Sequence, residues 1–74
     1  MEMRKQTFPI FIEADGHRVG TGLRAPATEQ PVMVALRLRD RGWDPYKVSF
    51  DSVSGAWIAL VFDKKHQKVH EDAS

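Results

Sequence analysis

Alternating side chains near the start of the chain predict a β-hairpin. Large apolar residues at positions 8, 10 and 12 alternate with residues of mixed character between Thr7 and Ala14, which is the period of a half-buried strand. Asp15-Gly16 then suits the positive φ angles of a two-residue type I′ turn. A second strand is expected from His17 to Leu23.

This turn also fixes the pairing of the two strands. It places Glu13 opposite Arg18, so that opposite charges meet, and Phe11 opposite Gly20, where the ring can cover the glycine. A slip of one residue would reverse the faces of the hairpin. The remaining pairs in this register are Ile12 with Val19, Ile10 with Thr21 and Phe8 with Leu23, which together form a core face.

A helix is predicted after a linker that contains Pro26. Thr28 is the expected N-cap, Pro31 is tolerated in the first turn, and the helix ends near Arg41. Its buried stripe is expected to consist of Val32, Ala35, Leu36 and Leu38, with Arg37 and Arg41 on the opposite side.

The C-terminal end of this segment decides between helix and strand. Residues 36–39 alternate like a strand, but Gly42 suits the left-handed C′ position of a helix. Trp43 can then pack back on Leu38, as a Schellman cap requires. Asp44-Pro45 stops the helix.

The last third of the chain predicts a second hairpin, with strands from Tyr46 to Ser52 and from Ala56 to Asp63. A three-residue loop, Val53-Ser54-Gly55, ends with a glycine in the left-handed conformation. This register pairs Tyr46 with Phe62, Val48 with Leu60 and Phe50 with Ile58. A two-residue loop would instead place Ile58, Leu60 and Phe62 opposite polar residues, so the three-residue loop is favoured.

Together these elements predict an α+β fold, ββαββ, with a four-stranded, mainly antiparallel sheet and one helix packed on one face. Residues 1–6 are expected to be a flexible N-terminus, 7–63 a single domain and 64–74 a polar, disordered tail. The strand order is left open. Strands one and four are the most apolar and therefore suit the centre, although Pro9 argues against this for strand one.

One helix covers one face of such a sheet, so the other face is expected to be open. In the predicted registers it carries Pro9, Phe11, Gly20, Gly22, Trp57, Ala59 and Val61. These residues are scattered single apolar side chains, which need no explanation, or a patch that binds another protein or a second copy of the chain. A third alternative is that the predicted register is wrong or that an N- or C-terminal segment folds over the face. In the second interpretation Phe11, Trp57 and Val61 are the binding residues, bordered by Arg18 and Lys47.

The composition narrows the remaining possibilities. The 74 residues include no cysteine and carry a net charge of +1, so disulfides and thiolate metal sites are excluded. No apolar stretch is long enough to span a membrane or to form a signal peptide, and we expect a cytoplasmic protein. A chain of this size buries only roughly 60% of its unfolded surface, so burial of the open face against a partner would help a thin core.

The sequence contains no convincing catalytic motif or metal-binding motif. His66 and His70 have the i, i+4 spacing of two ligands on a helix, but no third ligand accompanies them, and His17 is a turn residue. Gly20-Thr21-Gly22 lies inside a strand and is not a phosphate-binding loop. We therefore expect no enzyme activity, no metal and no cofactor.

Nucleic-acid binding is an alternative function. Arg37 and Arg41 lie one turn apart on the predicted outer face of the helix, and aromatic residues on the sheet could stack on unpaired bases. Against this, the basic residues are interleaved with acidic ones along the whole chain.

In overall build, residues 7–63 resemble the small phage or mobile-element accessory proteins that inhibit host machinery, of which anti-CRISPR proteins are one group. The resemblance rests on a minimal cysteine-free α+β domain with two hairpins and no site chemistry, and no motif accompanies it. It implies stoichiometric binding to a larger protein without turnover. A structural subunit of a larger assembly is a further alternative.

Overall fold

The computed structural model describes residues 6–62 and confirms the ββαββ order. The elements are β1 (Thr7–Ala14), β2 (His17–Pro26), α1 (Pro31–Asp40), β3 (Lys47–Asp51) and β4 (Ala56–Leu60). The sheet order is β2-β1-β4-β3, with β1 and β4 parallel and the two hairpins antiparallel. The α+β class and the mainly antiparallel sheet are thus confirmed, and the two most apolar strands lie at the centre. The predicted tail 64–74 and, apart from Gln6, the predicted flexible N-terminus lie outside the described residues.

The turn of the first hairpin has the predicted conformation. Asp15 and Gly16 both adopt positive φ angles, 51° and 80°, as a type I′ turn requires. Glu13 pairs with Arg18 and Phe11 with Gly20, as expected. The Nη2 group of Arg18 donates to Oε1 of Glu13 over 3.1 Å.

Beyond Gly20 a bulge changes the register, so two predicted pairs are wrong. Phe8 lies opposite Ala25 rather than Leu23, and Ile10 no longer pairs with Thr21. The bulge is held by the Thr21 hydroxyl, which donates to the Ile10 carbonyl over 2.8 Å and accepts from the Leu23 N–H over 3.1 Å. Because the shift is two residues long, the alternation of faces is the same on both sides of it.

The helix begins later in the chain than predicted, and a partly different set of its side chains faces the sheet. Gln30 is the N-cap, in an extended conformation and without a side-chain capping bond, so the prediction of Thr28 is wrong. Ala35 and Leu38 are buried as predicted, together with Val34. Val32 and Leu36 are 54% and 51% exposed, because they lie on a flank of the helix and not on the side that meets the sheet.

The Schellman cap is confirmed. The N–H of Gly42 donates to the carbonyl of Arg39, and the N–H of Trp43 donates to the carbonyl of Leu38, each over 3.0 Å. Gly42 adopts φ +97°, in the left-handed region that glycine enters without a Cβ penalty. Trp43 packs against the core.

The second hairpin differs from the prediction by one residue. Its loop has four residues, Ser52–Gly55, and Asp51 lies opposite Ala56. Phe50 therefore pairs with Trp57, and not with Ile58. Since side chains alternate along a strand, this one-residue slip exchanges the two faces of β4.

The core lies between α1 and one face of the sheet. Its buried members include Ile10, Ile12, Val34, Leu38, Trp57, Ala59 and Val61. Trp57 is 1% exposed, and its Nε1–H donates to the Pro26 carbonyl over 3.2 Å. Its indole ring lies 5.4 Å from the ring of Phe50, and Phe50 contacts Phe8 at 5.1 Å. The aromatic groups of the core thus bridge both hairpins.

Candidate protein-interaction surface

The sheet face turned away from α1, here called the open face, has an apolar centre. Phe11 of β1 lies beside Ile58 of β4, and Leu60 follows on the same face. All three side chains are half-buried within the chain. They lie on the two central strands, so their outer surfaces point away from the only helix among the described residues.

The corrected register changes two of the five residues predicted for this surface. Phe11, Arg18 and Lys47 lie on the open face, as expected. Trp57 and Val61 do not, because they are 1% and 3% exposed in the core beneath α1. The structure thus brings together three of the predicted residues and separates two from them.

Ile58 and Leu60 occupy the positions that were assigned to Trp57 and Val61, and sequence reasoning missed them. Every residue from 56 to 62 is apolar, so alternation cannot distinguish the faces of β4. The loop residues, rather than the pattern of β4, determine which face of β4 is buried. Asp51 accepts hydrogen bonds from the Val53 N–H and the Ser54 hydroxyl, which closes a four-residue loop.

The position of Phe11 is fixed by a close approach to Gly20. A Cβ atom at Gly20 would lie 3.6 Å from the Phe11 ring, so the ring lies over the glycine backbone, as the sequence predicts. Covering an exposed glycine with a cross-strand aromatic stabilises a sheet edge. The ring therefore packs against the backbone of Gly20.

Charged side chains border the apolar centre. Arg18 pairs with Glu13, and its guanidinium lies 6.0 Å from the centroid of Phe11. Lys47 lies beside Leu60 at the opposite edge. An apolar centre with a charged rim is the usual arrangement of a protein–protein interface.

At the β2 edge, Arg24 lies beside Pro9. It is held by the Thr7 hydroxyl, to which Nε donates over 3.0 Å, and by the Thr7 carbonyl, to which Nη2 donates over 2.8 Å. These two bonds hold the Arg24 guanidinium in one orientation against Thr7.

Asp51 is the one described residue whose carboxyl is clearly perturbed. The hydrogen bond from the Ser54 hydroxyl, followed by the bond from the Val53 N–H, holds the pKa of Asp51 below its ordinary value. Both bonds lie within the hairpin loop. The perturbation is thus explained by the turn and indicates no acid–base chemistry.

The described residues contain no cluster of three or more histidine, cysteine, aspartate or glutamate side chains that could hold a metal ion. His66 and His70 lie outside the described residues. No helix within residues 6–62 is long and apolar enough to cross a membrane.

The two arginines proposed to contact nucleic acid have different environments. Arg37 Nη1 donates to the carbonyl of Arg24 over 2.7 Å, which ties α1 to β2. Arg41 is the exposed C-cap residue of α1. The charged residues between 6 and 62 are balanced: they comprise Arg18, Arg24, Arg37, Arg39, Arg41 and Lys47 against Glu13, Asp15, Glu29, Asp40, Asp44 and Asp51.

Comparison with known proteins gives no match. No protein-family model matches the chain, and neither the curated proteins nor the solved structures contain a match.

Proposed function

We propose that this chain is a non-enzymatic protein-interaction module of the cytoplasm. It binds a surface of a larger protein through its open face, as a stoichiometric inhibitor does. The observation that carries this proposal is the contact row formed by Phe11 and Ile58, with Leu60 beside it, on the two central strands. In a mainly antiparallel sheet, a face that meets only water normally alternates to polar residues.

The energetics favour a protein as the occupant. Burial of apolar surface contributes about 25 cal/mol per Å², and the three side chains are only half-buried in the chain itself. Flanking charges such as Arg18 and Lys47 add specificity and association rate more than affinity. A flat apolar face with a charged rim fits another protein surface better than a small ligand, which requires a concave site.

Site-specific photo-crosslinking in cells tests this proposal. Phe11 would be replaced by benzoylphenylalanine, an aromatic photoreactive residue, and Val53 would be replaced in the same way as a control. Val53 is 94% exposed at the tip of the β3–β4 loop, so it samples random collisions. We expect one discrete adduct from position 11, with one copy of each partner, and no such adduct from position 53.

A second substitution links that adduct to the open face. Leu60→Lys in the crosslinking protein places a charge in the apolar centre and is expected to remove the adduct, while thermal unfolding shows that the domain still folds. Equal and diffuse labelling from positions 11 and 53, or an adduct that persists with Leu60→Lys, would exclude the open face as the binding surface.

A second copy of the chain is the other occupant that this face fits. Sedimentation equilibrium over a range of concentrations separates the two cases. A monomer at all concentrations assigns the face to a different protein. A dimer that Ile58→Lys dissociates, and Val53→Lys does not, assigns it to self-association.

A further inference from the structure

A groove lies between α1 and the edge strand β3, on the opposite side of the sheet from the open face. Its volume is about 240 Å³, which is below the ~300 Å³ at the lower end of small-molecule sites. Its lining consists of Pro31, Val32, Ala35, Arg39, Pro45, Tyr46, Lys47 and Val48. A groove of this size accommodates a side chain rather than a whole ligand.

The helix contributes an apolar flank to this groove. Val32, Leu36 and Arg39 are spaced i, i+4, i+7 and therefore lie on the same side of α1. Arg37, on the other flank, bonds to β2, so the flank with Val32 and Leu36 lies toward β3. Val32, which lines the groove, is about half exposed.

The edge strand contributes unpaired backbone. Within the described residues β3 is the terminal strand of the sheet and pairs only with β4. Alternate N–H and C=O groups along its outer side are thus available to another strand. Tyr46, which is 55% exposed, stacks on Phe62 at 4.3 Å and forms the wall at the start of this edge.

The charges of the groove have one sign. Arg39 supplies the charged side chain of its lining, and no acidic residue lines it; Lys47 also borders the groove, but its side chain lies on the open face. Arg39 Nε is 3.8 Å from Oδ1 of Asp44, and both side chains are exposed, so this pair neutralises the arginine only weakly. The groove therefore favours an occupant that carries negative charge.

We infer that the outer edge of β3 binds an extended peptide segment of a partner protein. In this mode the peptide adds a fifth strand to the sheet, and main-chain hydrogen bonds supply affinity. An aliphatic side chain of the peptide enters the groove between Val32 and Val48, and a neighbouring acidic side chain meets Arg39. This site is separate from the open face and does not depend on the function proposed for it.

Selection from a phage-displayed library of random eight-residue peptides, with the full 74-residue chain as bait, tests this inference. We expect enriched peptides to contain an aliphatic residue flanked by aspartate or glutamate. In fluorescence anisotropy with one such peptide, Arg39→Glu should weaken binding by about tenfold or more. Amide shifts in NMR spectra should be concentrated along Lys47–Asp51.

Two variants serve as controls in the same assay. Arg41→Glu makes the same change of charge on the same helix but outside the groove, and Ile58→Lys alters only the open face. Each should change the dissociation constant by less than about twofold. The inference is overturned by a selection without enrichment, by enriched peptides that lack acidic residues, by binding that Arg39→Glu leaves intact, or by self-association through β3 that excludes the peptide. Absence of the photo-crosslinked adduct at position 11 would contradict the function proposed for the open face. It would leave the peptide site at β3 unaffected, so the two experiments fail independently.

Discussion

Asp51 lies directly opposite Ala56 across the β3–β4 hairpin, and this pairing decides which face of β4 is buried. The Asp51 carbonyl accepts a hydrogen bond from the Gly55 N–H over 2.8 Å, and its carboxylate accepts from the Ser54 hydroxyl over 2.9 Å. Gly55 adopts φ +70°. The loop thus has four residues, and Trp57 turns toward α1.

The carboxylate of Asp51 predicts a pH dependence. Because its pKa is lowered in the folded protein, the stability it contributes is present above the ordinary aspartate pKa and is lost as the pH falls through the folded-state pKa. Ser54→Ala removes the largest cause, so NMR titration should show the Asp51 pKa rise toward its ordinary value. The difference in unfolding midpoint between the two proteins should therefore shrink on acidification. Ser52→Ala, in the same loop but without a bond to Asp51, should leave the titration unchanged, and a shift there would contradict this account.

Substitution of Trp57 distinguishes the observed register from the one that the sequence predicts. Trp57→Phe removes the indole N–H that donates to Pro26 and part of a buried ring, and should cost about 1–3 kcal/mol in urea unfolding. Trp57→Ala should cost about 3–5 kcal/mol, which approaches the whole stability of so small a domain. Val53→Ala, at the exposed loop tip, should stay within about 0.5 kcal/mol. Equal midpoints for Trp57→Ala and Val53→Ala would place Trp57 on the open face instead.

The sequence predicts those parts of the fold that depend on local chemistry. Asp15-Gly16 permits only one type of tight turn, and Gly42 with Trp43 defines one helix end. The structure confirms both predictions. The pattern of apolar and polar residues does not reveal the bulge at Thr21, because a shift of two residues preserves the alternation of faces. The β3–β4 loop was ambiguous because Gly55 suits three-residue and four-residue loops alike.

The candidate site was predicted correctly only where local sequence determines which face of the sheet a residue occupies. Phe11, Arg18 and Lys47 lie in segments where apolar and polar residues alternate or where a turn fixes the register. β4 is a central strand with apolar residues on both faces, so its pattern contains no information about which face meets α1. Likewise, Val32, Val34, Leu36 and Leu38 occupy alternate positions, and the phase of the helix was settled only by tertiary packing.

The helix cap offers a matched pair of glycine substitutions. Gly42→Ala forces an alanine into φ +97° and should cost about 1–2 kcal/mol in thermal or urea unfolding. Gly20→Ala is the control, because its φ is not in the left-handed region and its Cβ would meet Phe11 at an ordinary contact distance of 3.6 Å. We expect that variant to stay within about 0.5 kcal/mol of the parent. If both variants unfolded at the same midpoint, the Schellman cap would have no measurable role in stability.

Nucleic-acid binding is testable against the charge arrangement of the fold. Proteins that bind single strands stack bases on exposed aromatic rings beside a basic groove. Of the two aromatic residues predicted on the open face, only Phe11 lies there, and Trp57 is buried. Arg37 bonds to the Arg24 carbonyl, and the whole chain has a net charge of +1.

We therefore expect labelled oligothymidine to bind no more tightly than about 10⁻⁴ M at physiological salt, the weak end of non-specific affinities. Fluorescence anisotropy at two salt concentrations provides the measurement. Tighter binding, with an affinity that falls steeply with salt and a salt dependence that the double variant Arg37→Ala, Arg41→Ala reduces, would favour a nucleic-acid function instead. Arg39→Ala is the control for each single change, since it removes one positive charge from the same helix at a residue paired with Asp44. A comparable loss in that control would indicate a general charge effect rather than a site at Arg37 and Arg41.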